Sequence, residues 1–370
     1  MFSSPSPLRI AEIAPVWLPV PPPGYGGIER VVAVLCDELV ARGHDVTLFA
    51  VGGSRTRAKL VTTVEWPPHP DDPEAVLTEA VHALGAFTRA GEFDIIHDHT
   101  RLGPALAAVR TGGPPVVHTL HGPWTERVRR YVDSVRGRVS LVAISHAQAA
   151  GNPGLGYAGV VHNGIDVAAH PYRRTKDDFL LFVGRISPQK GPAAAVEVAH
   201  RAGLPLTMVI KRRERAESAY WDEVIAPLLT SDDQVFEEPP EPIKVELLAR
   251  ARATLCPIDW PEPFGLVLIE SMACGTPVIA RPRGAALEVV EHGRTGFLCE
   301  TDDEMVAAVG RLDELSPAAC RARVREQFSG PAMADGYERI FARLDPAPNA
   351  SALTSVPAAR TRTGRRWDHR

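Results

Sequence analysis

Short apolar runs alternate with amphipathic ones along this chain, and near the middle the pattern begins again. Leu8–Ala14 reads as a strand. Glu29–Arg42 reads as a helix, with Val31, Val32, Leu35, Leu39 and Val40 on one face and Gly43 as its stop. Strands follow at Val46–Val51, Asp94–His97, Val116–His118 and Leu141–Ile144, with helical segments Pro73–Arg89, Pro104–Arg110 and Thr125–Arg136 between them. The second series runs Phe179–Val183 (strand), Gly191–His200 (helix), Leu206–Ile210 (strand) and Ser218–Leu229 (helix). It continues with Ile243–Ala251 (helix), Thr254–Pro257 (strand), Phe264–Ala273 (helix) and Pro277–Ala280 (strand). Strands separated by helices pair in parallel, because a parallel crossover needs a long connection. The expectation is an α/β chain of two Rossmann-like domains with a cleft between them, residues 1–165 and 166–330, joined through Ile165–Asp178. Helices at Ser316–Phe328 and Pro331–Leu344 close the pattern. Pro346–Arg370, which carries five Arg and one Asp and has no periodicity, reads as a disordered basic tail.

The 370 residues suffice for two cores. With 41 basic against 45 acidic residues the net charge is −4, which argues against nucleic acid as a partner. Only five of the basic residues are Lys, so each Lys merits inspection. The five cysteines are widely spaced and form no metal-ligand cluster, as suits buried thiols in a reducing cytoplasm. No apolar run is long enough to span a bilayer, and Met1–Pro7 lacks the features of a secretion signal. Trp124–Arg138, with five Arg against Glu126 and Asp133, reads as a solvated helix face making at most peripheral membrane contact at the inner face. Nothing in the pattern indicates an oligomeric state.

Three segments carry chemistry. Pro21 to Glu29 contains Gly24, Gly26 and Gly27 between the first strand and the first helix. Glycines there let backbone approach a ligand beside a helix N-terminus. Glu29 stands where a dinucleotide fingerprint would place its last glycine, so that motif is absent. Gly184–Gly191 sets Arg185 and Lys190 around a helix start, a planar fork and a point charge suited to a diphosphate. Glu262–Glu270 places two carboxylates eight residues apart, the second inside an apolar helix, where it needs a partner to stay ionised. The acidic pairs at 71–72, 177–178, 232–233 and 302–303 are adjacent and form no Asp-x-Asp metal motif; they read as loop or capping residues.

Together these segments resemble the GT-B glycosyltransferases of family 4, retaining enzymes that use nucleotide sugars. The resemblance rests on Gly26-Gly27, Gly43-His44-Asp45-Val46, Asp94-Ile95-Ile96-His97, His121-Gly122 and Ser145. It extends to Asn163-Gly164-Ile165-Asp166, Gly184–Gly191 and Glu262–Pro277, and covers about Leu8 to Leu344. It implies a GT-B fold with an N-terminal acceptor domain, a C-terminal donor domain and a C-terminal crossover helix at Pro331–Leu344. It also implies that Arg185 and Lys190 bind the donor diphosphate. Glu270 would hold the ribose. Glu262 and the N–H groups of Phe264, Gly265 and Leu266 would hold the sugar. Gly26 and Gly27 would close over the phosphates, and His121 would lie at the reacting centre. Lys211 is a further donor contact. Asp98, His99, Arg101 and His118, near strand ends, are candidate acceptor contacts.

The implied partners are a nucleotide-diphosphate sugar, with UDP-glucose the first reading and GDP-mannose the second, and a hydroxyl-bearing small-molecule, lipid or glycan acceptor. No metal or other cofactor is required. Two other readings stay open, a nucleotide-sugar-binding protein without transfer activity and a GT-B hexosamine 2-epimerase. Two loops depart from the family pattern near the expected base pocket. Lys211-Arg212-Arg213-Glu214-Arg215 and Glu237-Glu238-Pro239-Pro240 stand where relatives carry glycine, which leaves the base open.

Overall fold

The structure is a computed structural model that describes residues 7–24, 26–69 and 72–344. The basic tail and Asp71 lie outside these residues. The N-terminal lobe is built on a parallel sheet of β1 (Arg9–Ile13), β2 (Asp45–Val51), β3 (Lys59–Val64), β4 (Ile95–Asp98), β5 (Val116–Leu120), β6 (Ser140–Ala143) and β7 (Gly159–Val160), in the order β3-β2-β1-β4-β5-β6-β7. Its helices are α1 (Gly27–Ala41), α2 (Ala75–Phe87), α3 (Gly103–Ala108), α4 (Glu126–Ser134) and α5 (His146–Ala150). The second parallel sheet has β8 (Leu180–Arg185), β9 (Leu206–Lys211), β10 (Gln234–Glu237), β11 (Ala253–Cys256), β12 (Val278–Ala280) and β13 (Gly296–Leu298), in the order β10-β9-β8-β11-β12-β13. With it go α6 (Pro192–Arg201), α7 (Arg215–Tyr220), α8 (Glu241–Arg250), α9 (Leu266–Ala273), α10 (Ala286–Val289), α11 (Asp302–Val309), α12 (Pro317–Gln327) and α13 (Gly330–Phe341).

Each sheet reverses its winding once, between β1 and β4 and between β8 and β11. Such switch points leave a crevice at the carboxyl ends of the strands, where α/β folds take their ligands. The chain passes between the lobes twice, side by side. Ile165 N–H donates to the Phe328 carbonyl at 3.0 Å, and Gly330 N–H to the Ile165 carbonyl at 3.0 Å. After the second passage α13 lies against the N-terminal lobe. Met333, Ala334, Tyr337, Ile340 and Phe341 enter one core with Ile10, Val32, Leu35 and Leu48. Close approach is possible because Gly330 and Gly336 lack a Cβ, which would stand 2.8 Å from Val34 and 2.7 Å from Val161. Large side chains such as Tyr337 and Phe341 each stabilise that junction by about 1.5–3 kcal/mol through burial.

The structure departs from the sequence-based elements in specific places. β3 and β10 are edge strands with no fully buried residue and about half their side chains polar, so neither shows a long core-facing apolar run. The segment expected as one helix over Ser218–Leu229 begins at Arg215, widens into a π turn at Trp221–Ile225 and tightens into a 3-10 turn at Ala226–Leu228. Pro227, which has no N–H to continue an α-helix, accounts for the break. The five cysteines are buried and unpaired. Among the described residues no helix is long and apolar enough to cross a membrane.

Candidate active site

A cleft of about 460 Å³ lies between the lobes, lined from both. On the C-terminal side Arg185 ends β8, with Nη1 3.3 Å from Glu217 Oε1 and 3.4 Å from Glu214 Oε1. The 3-10 turn Pro188–Lys190 follows, then Gly191 in the left-handed region at φ 71°. A Cβ on Gly191 would fall 2.2 Å from the Pro257 carbonyl oxygen, so both the turn and the packing need glycine. That turn aims Lys190 at the neighbouring loop, where Nζ meets Glu262 Oε2 at 2.5 Å and lies 5.5 Å from the Trp260 ring centroid. Gly265, at φ 84°, starts α9, and Phe264, Gly265 and Leu266 all line the cleft. The first N–H groups of a helix have no partner within it and carry partial positive charge. Two cations and a helix N-terminus thus converge on one end of the cleft.

Glu270, one turn into α9, is buried yet lines the same cleft. Lys244 of α8 reaches it at 3.0 Å and also holds Glu241 at 3.0 Å. Burial pushes the Glu270 carboxyl up, but Lys244, His170 and Arg30 outweigh that and hold it below its ordinary value. Arg30 of α1 crosses from the other lobe to Glu241 at 2.9 Å. Sequence reasoning missed Lys244, Arg30 and Glu241. Only Lys244 carries a signal, as one of the five Lys. Lys211 lines the cleft where expected, and burial, with Arg213 nearby, lowers its pKa.

From the N-terminal lobe the cleft receives Gly26, Gly27 and His121. A Cβ on Gly26 would collide with Leu18 and Pro22 at 2.7 Å, and one on Gly27 would reach within 2.9 Å of Leu266 Cδ1 in the opposite lobe. His121 is held from behind. Its Nε2 lies 2.9 Å from His99 Nδ1, and His99 Nε2 lies 3.1 Å from Glu12 Oε2. Glu12 Oε1 meets His97 Nδ1 at 3.0 Å, and His97 Nε2 meets Thr119 Oγ1 at 2.8 Å. Burial pushes the Glu12 carboxyl up and drives His97 and His121 each down to about 3, so these imidazoles are neutral at physiological pH. Glu12, His97 and His99 could together face a cation, but both carboxylate oxygens already hold a ring nitrogen.

All four candidate acceptor contacts stand outside the cleft lining. Asp98 is fully buried and accepts from Thr100 Oγ1 at 2.8 Å and pairs with His118 Nδ1 at 2.6 Å. His118 and His99 are buried with it, and none of the three lines the cleft. They brace the ends of β4 and β5, because a polar group at a buried strand end must find a partner inside the protein. Arg101 is exposed, stacks over Trp17 at 5.0 Å and is likewise outside the cleft lining. In the departing base-pocket loop, Glu238 has φ 41°, the only non-glycine residue at positive φ among those described. Glu238 thus holds a left-handed backbone that favours glycine and carries strain there, with Arg213 gripping its carboxylate at 2.5 Å.

Two Rossmann-like lobes, a cleft at their strand ends and a returning terminal helix define the GT-B class. A family model described as Glycosyltransferase Family 4 matches residues 25–169, and one described as Glycosyl transferases group 1 matches residues 169–323. The chain is 30% identical over 372 residues to a D-inositol 3-phosphate glycosyltransferase of Acidothermus cellulolyticus, covering 83% of each chain. It is 30% identical over 394 residues to an alpha-maltose-1-phosphate synthase of Mycolicibacterium smegmatis, covering 88% of this chain and 97% of the relative. Among solved structures it superposes on AviGT4, a glycosyltransferase of avilamycin A biosynthesis, with TM-score 0.71, 27% identity and coverage of 94% and 99%. Sucrose-phosphate synthase from Thermosynechococcus elongatus shares the fold at TM-score 0.73 and 18% identity, with coverage of 91% and 98%. The chain belongs to glycosyltransferase family 4, and it is a glycosyltransferase that acts on a nucleotide sugar.

Proposed function

We propose that the protein transfers a hexose from UDP-glucose, with GDP-mannose the second reading, to a hydroxyl-bearing acceptor, with retention at the anomeric carbon and without a metal ion. The observation that carries this is the meeting of Lys190 and Glu262 at the start of α9 inside the cleft. A cation, a carboxylate and free N–H groups within one short span match the parts of a diphosphate sugar. In this reading the C-terminal lobe holds the donor. Arg185, Lys190 and Lys211 take the diphosphate. Glu270, kept ionised by Lys244, takes the ribose hydroxyls. Glu262 and the N–H groups at Phe264, Gly265 and Leu266 take the sugar.

The bond from the anomeric carbon to the phosphate oxygen breaks, leaving negative charge on the diphosphate and positive character on the sugar. Arg185, Lys190 and the α9 N-terminus are in place before that charge develops, which is where such groups act most strongly. The acceptor hydroxyl attacks on the same face, and its proton passes to the departing phosphate oxygen. Gly26 and Gly27 let the N-terminal lobe close over the phosphates and exclude water. His121 borders the sugar.

Turnover of UDP-glucose in excess EDTA, abolished in Lys190→Ala and Glu262→Ala, is the expected result. Full activity in both variants would refute the site, and loss of activity in EDTA would refute the metal-free scheme. A thermal-shift comparison of UDP, GDP, ADP and dTDP reads the base, because a ligand bound by the folded state raises Tm.

A further inference from the structure

Hydrogen bonds run without a gap from the C-terminal crossover helix to the cleft. Tyr337 Oη of α13 lies 2.9 Å from Thr119 Oγ1, which leads to His97, Glu12, His99 and finally His121. Glu12, His97 and Tyr337 are essentially inaccessible to water, so these groups have only each other as partners. Five contacts need five hydrogens. The two hydroxyls and three neutral imidazoles supply five, provided that Glu12 is the carboxylate that accepts at both oxygens.

With Glu12 ionised, one arrangement satisfies all five contacts. Tyr337 donates to Thr119, Thr119 to His97 Nε2, and His97 Nδ1–H to Glu12. On the other side His99 Nε2–H donates to Glu12, and His121 Nε2–H donates to His99 Nδ1. We infer that Glu12 is a positioning residue which, acting through His99, fixes His121 in its Nε2–H form and leaves the Nδ1 lone pair as the ring's acceptor for a hydroxyl in the cleft. The proton position on one ring nitrogen follows from the bond the other makes. A proton on the Glu12 oxygen facing His99 would reverse both bonds and put N–H on Nδ1 of His121. The inference rests on the proposed place of His121 beside the sugar only for its catalytic consequence.

Nitrogen-15 NMR of the full chain labelled at histidine tests it directly. His121 should show a protonated Nε2 and an unprotonated Nδ1, and the opposite tautomer, or an even mixture, would overturn the proposal. Glu12→Gln should then reverse it. An amide accepts from one ring but must donate to the other. Reversing the His97 arm would leave one buried hydroxyl hydrogen, on Thr119 or Tyr337, without an acceptor, whereas reversing the His99 arm places the displaced N–H in the cleft. The His121 signature should therefore switch to Nδ1–H, and an unchanged signature would also overturn the proposal. Thr119→Val loosens the other arm and should lower Tm while leaving the His121 signature as it is; a switch there would show general repacking instead of a relay.

In kinetics Glu12→Gln should lower kcat roughly 10–100-fold, the scale on which groups that orient a functional histidine act, with KM for the donor nearly unchanged. It should cost nothing further in a His121→Ala background, and a full second loss there would refute the relay. If the tautomer switches but His121→Ala is fully active, the relay stands and the catalytic place of His121 falls.

Discussion

Lys190 and Glu262 neutralise each other at 2.5 Å, with side chains only 21% and 14% exposed. In the proposed site both have ligand parts to bind, so a donor must part them or bridge them. Glu262→Gln frees the ammonium for phosphate while removing a sugar partner. Calorimetry should show UDP binding several-fold tighter in Glu262→Gln, while kcat with UDP-glucose falls about 10²–10³-fold. Lys190→Ala should weaken both. Parallel effects on UDP binding in the two variants would contradict the ion pair's role.

Lys244 and Glu270 make a second pair that stability measurements can reach. Burial opposes the charged form of each, but their mutual attraction wins, lowering Glu270 and raising Lys244. A carboxyl held below its unfolded pKa of about 4.3 contributes stability above that pH and loses it as pH falls through the folded value. An ammonium held above about 10.4 contributes below that pH and loses it as pH rises. The pair thus stabilises the protein across roughly pH 5–10. Lys244→Met strands a buried carboxylate and should cost about 3–5 kcal/mol at pH 7. Denaturant titrations at pH 7 and pH 4.5 check the sign, since the loss should shrink in acid as the stranded Glu270 takes up a proton.

Gly27 and Leu266 set how closely the lobes meet. A Cβ at 27 would reach within 2.9 Å of Leu266 Cδ1, the tip of a side chain that can yield. Gly27→Ala should be tolerated, whereas Gly27→Val should hold the lobes apart and lower kcat about tenfold or more, consistent with the cost of misplacing catalytic groups by an ångström. Adding Leu266→Ala should restore much of the loss. Failure of that rescue would mean that Gly27 acts through its backbone alone.

Glu288 of α10 clamps the lobes at another point. Its carboxylate accepts from the N–H groups of His146 and Ala147 at 2.9 and 2.6 Å, at the first turn of α5, and meets His162 Nε2 at 2.9 Å. Burial raises its pKa, but His162 and the two N–H groups outweigh that and lower it. The clamp therefore holds above about pH 4.5 and weakens as pH falls further. Small-angle scattering of Glu288→Ala at pH 7 should resemble that of the parent taken well below about pH 4.5, with a larger radius of gyration in both.

The elements readable from sequence are those whose signal is local. Arg185, Lys190, Glu262 and Glu270 lie in short strand-to-helix spans, so one loop and one helix start announce the chemistry, and all four reach the cleft. Glu12 was invisible by the same logic. Inside the apolar run Leu8–Ala14 it passes for an ordinary strand residue, and its partners His97 and His99 are 85 and 87 residues away. Only the register of β1 against β4, which sets Glu12 beside His97, joins them. The same gap hid the surroundings of Asp98 and His118. Strand-end position suggested exposure to the cleft, whereas their mutual bond and the absence of a Cβ on Gly103, which would fall 2.2 Å from the Asp98 carboxylate, bury them.

The placement of α13 has a consequence for how the chain is made. Tyr337, Ile340 and Phe341 complete the core around β1 and α1, yet they are synthesised more than three hundred residues after the strand they cover. Synthesis therefore delivers the first lobe with an open apolar seam and an unfinished line of hydrogen bonds behind His121, while the second lobe can form without it. That core closes only when α13 arrives, so a nascent or truncated chain ending before Gly330 leaves apolar side chains of β1 and α1 uncovered.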